Sequence, residues 1–524
     1  MNSLGSHRVT FVLLLSLVLL HFAAAAGAEA IFPVNQTGSG AWAYDQPAVV
    51  ADGSVIHVAF IGDSTGTGQF RLYYAAVNGG ANFADNLTTL SDVIVVPPTV
   101  LDNGAQYTDA RHPRIALNAT NQLVIVFQAV PAGLASGDYR LFRALVTIAS
   151  DVVSTQTVSE IVDSGGARMP GPLTDPSFAP VVSDGSLRMA YTQTSAGLGN
   201  VYYARAGTDN AHLAAAPILL SSVPASQGTQ PLPRLGLDGL YNSHVVWAAN
   251  NSAGTPSGVY YALVKTVPPS TVDVLGIGAT QVLYGGYRWT FPNVLVISNA
   301  FVWVIAADEP AGAPGLAGVL GVTRLNPYAV VQDGNPVNVN NSAGNSLFFI
   351  TPPGGSVLPS NFDAYHPEIA LDTQNRGNVA GYGFRGDPPL YQGTPGRYYT
   401  MGLGTVSNGV STSAFAAMAW APVSIGTGDI SFAMQLPGDY TRPAFVHYNA
   451  KAVHFWSGPD NVVSGARNLY VTSSADAYDP TSQSGCSAAG TPPEADGPLP
   501  EAAIPFLPAL LLAVHRAARK AFGR

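Results

Sequence analysis

From Asp45 to about Ser473 the chain repeats one arrangement of apolar and turn residues. Each copy opens on a Pro and a short apolar stretch, meets a turn residue five positions past the Pro, and continues with a second apolar stretch. A turn-rich loop and an aromatic stretch follow. The first halves read DQPAVVADGSVIHVAF from Asp45, ARHPRIALNATNQLVIVF from Ala110 and PSFAPVVSDGSLRMAY from Pro176. Further copies start at Pro231, Trp289, Ala364 and Tyr440. The anchor positions are Pro47, Pro113, Ala179, Pro233, Pro292, Pro367 and Pro443, a mean period of about 66 residues, above the ~40–50 of familiar propeller repeats. The second halves repeat as well, in the doublets Tyr73-Tyr74, Tyr202-Tyr203, Tyr260-Tyr261 and Tyr398-Tyr399, with a weaker version at Tyr470.

These segments are short, β-branched and aromatic, and bounded by Gly, Asn, Asp or Pro, which predicts strands. No long segment of 3.6-residue period lies between the two ends, so little helix is expected. A period near 66 holds four strands of ordinary length with their loops. Four-stranded units repeated around an axis protect their sheet edges by radial packing. The predicted fold class is therefore all-β: a β-propeller of seven blades, each of four antiparallel strands, over residues 31–480. A β-solenoid has shorter rungs, and tandem β-sandwiches do not explain one motif recurring along the chain. Period-2 alternation predicts that the two tyrosines of each doublet face opposite sides of their sheet.

Composition narrows the function. Only 10% of residues are charged and the formal net charge is −9, which excludes both a disordered polyelectrolyte and the basic surface that nucleic acid requires. The single cysteine excludes a disulfide framework and a cysteine-built zinc site. The ends read as addresses. His7 and Arg8 precede the apolar run Phe11 to Phe22, and small residues follow, the pattern of a secretory signal peptide over residues 1–30 with cleavage after Ala28 or Ala30. At the other end, residues 481–501 have linker composition and contain Cys486. Residues 502–524 hold a Pro-broken apolar run, Ala502 to Val514, and a basic end, too short for a comfortable membrane span.

Two resemblances add to this reading. Ala76 to Phe83 (AVNGGANF) resembles the Asp-box motif S-x-D-x-G-x-T-W position by position, with Asn78 in place of Asp and Phe83 in place of Trp; Arg205 to Asn210 is a poorer echo. Asp-box, or BNR, repeats mark sialidase-like propellers, where the box is a structural staple. The sialidase F/Y-R-I-P motif is missing: Arg114-Ile115 is followed by Ala116, so no catalytic arginine carries over. The order of Cys486, apolar stretch and basic end resembles the MYXO-CTERM and JDVT-CTERM sorting tails of Gram-negative bacteria. His515 and the dispersed basic residues depart from that pattern. The resemblance implies processing at Cys486 and retention at the cell surface or outer membrane, or release to the extracellular space.

Candidate chemistry lies in a D-x-x-x-P pattern at the start of several repeats. Asp109 and His112 precede Pro113, Asp363 and His366 precede Pro367, and Asp439 and Arg442 precede Pro443. Asp175 stands four before Ala179 in the same register. In a propeller the first strand of each blade lines the central channel, so these residues are expected at one mouth of it. Each Asp capping a turn and each Pro stiffening a strand is the plain structural alternative. His112 and His366 are several repeats apart and cannot share a metal. Asp363, His366, Asp439 and Arg442 come from adjacent repeats and suit a sugar or carboxylate. The expectation is an exported, surface-tethered monomer that binds a glycan or protein ligand, with no cofactor and no metal, touching membrane only through its tail. A sialidase-like glycoside hydrolase or lyase and a structural envelope component are the alternatives; the missing sialidase residues weigh against an enzyme.

Overall fold

The computed structural model describes residues 29–30, 43–52, 55–64, 66–79, 93–95, 99–102, 107–119, 122–149, 152–181, 183–224, 231–249, 258–266, 272–283, 288–297, 301–309, 320–325, 348–350, 362–371, 377–386, 397–402, 420–424, 444–448, 451–459 and 466–473. The sequence stretches expected to be a sorting tail, with Cys486, and residues 80–83 of the Asp-box-like segment lie outside the described residues.

Every described regular element is a strand. The first group comprises β1 (Glu29–Ala30), β2 (Ala43–Asp52), β3 (Val55–Asp63), β4 (Arg71–Gly79), β5 (Val93–Val95) and β6 (Thr99–Val100). The second holds β7 (Tyr107–Ala119), β8 (Gln122–Pro131), β9 (Arg140–Ala149) and β10 (Val152–Glu160). The third holds β11 (Leu173–Val181), β12 (Ser186–Ser195), β13 (Leu198–Ala206) and β14 (Ile218–Pro224). The fourth holds β15 (Arg234–Leu237), β16 (Ser243–Ala249), β17 (Gly258–Thr266) and β18 (Asp273–Leu283). β19 (Arg288–Ile297), β20 (Phe301–Glu309), β21 (Leu320–Leu325) and β22 (Phe348–Ile350) follow. Next come β23 (Phe362–Leu371), β24 (Gly377–Gly386), β25 (Arg397–Gly402) and β26 (Trp420–Ser424). The last group is β27 (Ala444–Tyr448), β28 (Lys451–Pro459) and β29 (Arg467–Ser473).

The second to sixth groups each form a four-stranded antiparallel sheet in chain order. Hydrogen bonding joins the first and last groups into one nine-stranded sheet, so the described strands fall into six sheets. That larger sheet is two meanders meeting edge to edge: β2 joins β29 through one parallel pair, Ala43 and Arg467, and β1 pairs antiparallel with β29. The first strands β2, β7, β11, β15, β19, β23 and β27 touch their successors in turn, and β27 touches β2. This closed series of first strands makes the protein a β-propeller, with the first strand of each group innermost. The closing pairing lies at Glu29 and Ala30, upstream of the Phe32–Asn35 segment where closure is the natural expectation from the repeats, and that segment lies outside the described residues.

The core follows from this geometry. The second strand of a group can be buried on both faces, as β3 is along its whole length, so its sequence is mostly apolar. Outer strands such as β10 are largely exposed and carry Ser, Thr and Gln. The apolar clusters lie between neighbouring sheets. One joins β3 and β4 to Leu123, Ile125 and Phe127 of β8; another joins Val124 and Val126 of β8 to Leu187 and Met189 of β12. The tyrosine doublets split between these layers as period 2 requires: Tyr73 stacks on Phe60 at 5.5 Å in one cluster, while Tyr74 lies in the next and bonds His57 Nδ1 at 2.8 Å. Tyr202 and Tyr203, and Tyr260 and Tyr261, divide the same way.

Turns on the hairpins are tied by carboxylates. In the loop that echoes the Asp-box, Asp209 Oδ1 accepts from the amides of Ala211 (2.9 Å) and His212 (3.0 Å). Asp163 and Asp238 hold their own turns in the same way, so this staple is a general device of these hairpins.

One glycine is demanded by packing. A Cβ on Gly62 would stand 2.6 Å from Tyr44 Cδ1 and 2.8 Å from Tyr73 Cε2, inside the aromatic cluster of the first sheet. Gly62→Ala is therefore expected to destabilise the fold by about 1–3 kcal/mol, the usual cost of overpacking. A lowered urea midpoint with unchanged far-ultraviolet circular dichroism checks this.

Candidate functional site

Five of the innermost strands are interrupted at their Pro. The antiparallel register skips Gln46-Pro47 in β2, His112-Pro113 in β7, Asp175-Pro176 in β11, Phe291-Pro292 in β19 and His366-Pro367 in β23. A proline has no amide hydrogen to give to the ladder, so it is tolerated in a strand where a bulge takes it out of pairing. The residue before it turns left-handed: φ is 52° at Gln46, 49° at His112, 53° at Asp175, 48° at Leu232 and 49° at Phe291. For residues with a Cβ this conformation costs roughly 1–2 kcal/mol each. Strain of this kind gathers where a side chain must be aimed.

The bulges correct the repeat register. In the third repeat the anchor is Pro176, not Ala179, and Asp175 therefore occupies the position of His112 rather than that of Asp109. The reason is local: the bulge forms wherever a Pro must leave the ladder, and Pro176 is that residue.

Three bulge residues on consecutive inner strands are linked. The His112 amide donates to Gln46 Oε1 at 2.6 Å. His112 Nδ1 stands 2.7 Å from Asp175 Oδ1, and the Asp175 amide donates to Gln128 Oε1 at 2.6 Å. The Asp175 side chain is fully buried, while His112 keeps 12% of its surface open. The 2.7 Å ion-pair distance sets a buried carboxylate against the imidazole ring.

Asp109 sits beside this chain on a further left-handed residue, φ 47°, at another register shift in β7. Its Oδ1 accepts from Arg111 Nε at 2.9 Å, and its Oδ2 accepts from the Tyr139 hydroxyl at 2.5 Å. The Arg111 guanidinium lies 4.2 Å over the Phe70 ring. Burial, and then the bond to Asp109, push the Tyr139 phenol up to about 12. The described site thus combines Asp109, Arg111, His112, Tyr139 and Asp175, with carboxylates matched by an arginine and a histidine.

The other buried histidines differ. His244 and Asp238 are both fully enclosed, 3.3 Å apart, and His244 Nδ1 bonds the Tyr261 hydroxyl at 2.9 Å. Asp238 also accepts from the amides of Leu240 (2.8 Å) and Asn242 (2.9 Å). That pair belongs to a turn and its core. Among the described residues, no group of three or more His, Cys, Asp or Glu could hold a metal ion.

Of the sequence-predicted residues, Asp109 and His112 both lie on β7, Asp109 bonded to Arg111 and Tyr139 and His112 set against Gln46 and Asp175. Asp363 and His366 lie on β23, the inner strand of its group, with His366 at the bulge as His112 is. Their side chains, and all of Asp439, Arg442 and Cys486, lie outside what the structure describes. Gln46, Arg111, Tyr139 and the pairing role of Asp175 escape the D-x-x-x-P pattern. The dipeptide before and at the anchor finds some of them: a polar residue directly before Pro recurs as Gln46-Pro47, His112-Pro113, Asp175-Pro176, His366-Pro367 and Arg442-Pro443.

No protein-family model matches the chain, and no curated protein matches it. Solved structures share its general form. An ulvan lyase, a polysaccharide lyase, is 9% identical with a TM-score of 0.46 over 85% of this chain and 95% of that one. A Penicillium chrysogenum α-L-arabinanase complexed with arabinobiose is 14% identical, TM-score 0.42, over 69% and 93%. A Hadza microbial sialidase is 9% identical, TM-score 0.38, over 81% and 77%. Likenesses at these TM-scores assign no activity to this chain.

The raised Tyr139 phenol has a pH consequence. An unfolded chain releases its tyrosine protons near pH 10, the folded protein releases this one only near 12, so the folded state holds more protons in between and loses stability as pH rises through that window. Burial raises the Tyr44, Tyr107, Tyr191 and Tyr203 phenols in the same direction. Tyr139→Phe is expected to flatten the decline, measured as the difference in urea midpoint between about pH 9 and about pH 11.

Proposed function

We propose that the protein is an exported β-propeller, tethered at the cell surface through its C-terminal tail, that binds a glycan where the bulges of its inner strands gather. The observation that carries this reading is the chain Gln46–His112–Asp175. Three strained residues on three consecutive inner strands aim polar groups at one another, and one of them keeps an open face. Fixed donors and acceptors beside a guanidinium suit a ligand rich in hydroxyls, whose weak individual bonds need several groups held at once. The low charge of the set, with Arg111 already partnered by Asp109, favours sugar hydroxyls over a highly charged ligand.

The His112–Asp175 pair supports a second reading, cleavage of a polysaccharide. A carboxylate-oriented imidazole can take and return a proton, and a neighbouring Tyr139–Asp109 bond supplies another proton carrier. Under this reading His112 is the base. Incubation with a panel of polysaccharides separates the two: new reducing ends or an unsaturated product favour cleavage, and retention without turnover favours binding.

A glycan array probed with the secreted protein should give binding that His112→Ala lowers at least ~10-fold, about 1.4 kcal/mol, with the fold intact. Binding unchanged by His112→Ala and by Arg111→Ala would remove the site from this role. For the tail, Cys486→Ser is expected to move the protein from cells to medium; a variant still held on cells would refute the tether.

A further inference from the structure

Among the described residues, the last strand group has three strands of its own. The second to sixth groups each draw four strands from a contiguous stretch, whereas β27, β28 and β29 are three. β1 adds a strand to them, through Glu29 opposite Val471 and Ala30 opposite Tyr470. Without it, the Tyr470–Val471 edge of β29 would present unpaired amides and carbonyls, which sheets avoid.

β1 lies behind the apolar run Phe11 to Phe22, inside a small-residue stretch with four A-x-A sites, of which Ala26-Gly27-Ala28 and Ala28-Glu29-Ala30 border or contain β1. The sequence alone permits either. A cut behind the second removes both residues of β1. A cut behind the first leaves Glu29 and Ala30 as the first residues of the mature chain.

We propose that the leader is removed between Ala28 and Glu29, so that the new N-terminus is itself the closing strand of the propeller. The inference rests on the exported reading given above. Its structural ground is separate from it. Between the ends of the ring, the described backbone offers only the β1 pairing and the single Ala43–Arg467 pair, supplemented by the buried bond from Ser457 Oγ to the Tyr44 carbonyl at 2.7 Å. Phe455, Ala466 and Leu469 also pack against Tyr44 and Phe60 across the seam, but an exposed edge there is a place where opening starts, so the loss of two backbone pairs is felt.

The test is N-terminal sequencing of the protein secreted by a Gram-negative host carrying the full chain. Glu29 as first residue is expected. Ile31 as first residue overturns the inference and leaves export standing, and an unprocessed chain overturns both. Secreted chains given a foreign leader and made to start at Glu29 or at Ile31 supply a second measurement. The Ile31 form is expected to melt lower by at least about 2 °C, the scale of a fraction to one kcal/mol in a large domain. Equal melting temperatures would show that β1 closes nothing, and would overturn the structural ground.

Discussion

A proline that cannot donate to a ladder sets the inner wall of this protein. In an ordinary strand it would leave an orphaned partner carbonyl, so the chain bulges and the preceding residue goes left-handed. Repeated on successive inner strands, that one covalent restriction turns a run of sheets into a ring of bulges. The sheets themselves need no such device. Mostly apolar middle strands such as β3 bury both faces against neighbouring sheets, and that burial holds the ring together. The bulges contribute little to this and cost strain, which makes them the part of the wall free to carry polar residues.

The strain and the packing meet at the aromatic layer. Doublets such as Tyr73-Tyr74 give one ring to each of two inter-sheet clusters, so each third strand ties its sheet to both neighbours. The buried hydroxyl of Tyr74 finds His57, and that of Tyr261 finds His244, one strand across in each case. These bonds satisfy polar atoms inside an apolar layer, where an unmet hydroxyl would cost about 1–3 kcal/mol. His57 and His244 thus serve as core partners for tyrosine, whereas His112 keeps contact with solvent.

Much of the architecture was legible because its causes are periodic. Apolar stretches, turn residues and tyrosine doublets recur, and the sheets built from them follow in chain order. The closing strand β1 was not legible, because it is two residues long and carries no repeat signature. The third anchor was misread for a related reason. An alignment on apolar spacing selects Ala179, whereas the ladder obeys the absent amide of Pro176 three residues earlier. The candidate site was half legible. Asp109 and His112 share one strand and one motif, but Gln46 and Asp175 reach His112 from other sheets, and Tyr139 comes from a loop. Nothing in local spacing encodes which residues a ring will bring together.

Burial separates the His112–Asp175 and His244–Asp238 pairs more decisively than distance does. Asp238 spends its carboxylate on the amides of its own turn, and His244 is sealed against Tyr261. Asp175 is equally sealed, but its partner is not: His112 sits on a bulge with an open edge, and its own amide is held by Gln46 from the preceding sheet. A sealed carboxylate with an accessible imidazole can orient the ring without closing it to a ligand. The backbone conformation that makes this possible is unfavourable for histidine in isolation, and the surrounding sheets supply the energy that maintains it. Further around the ring, the left-handed residues before proline are the apolar Leu232 and Phe291. The linked polar set described here lies on the inner strands β2, β7 and β11, so a ligand read by this wall meets apolar positions next to polar ones.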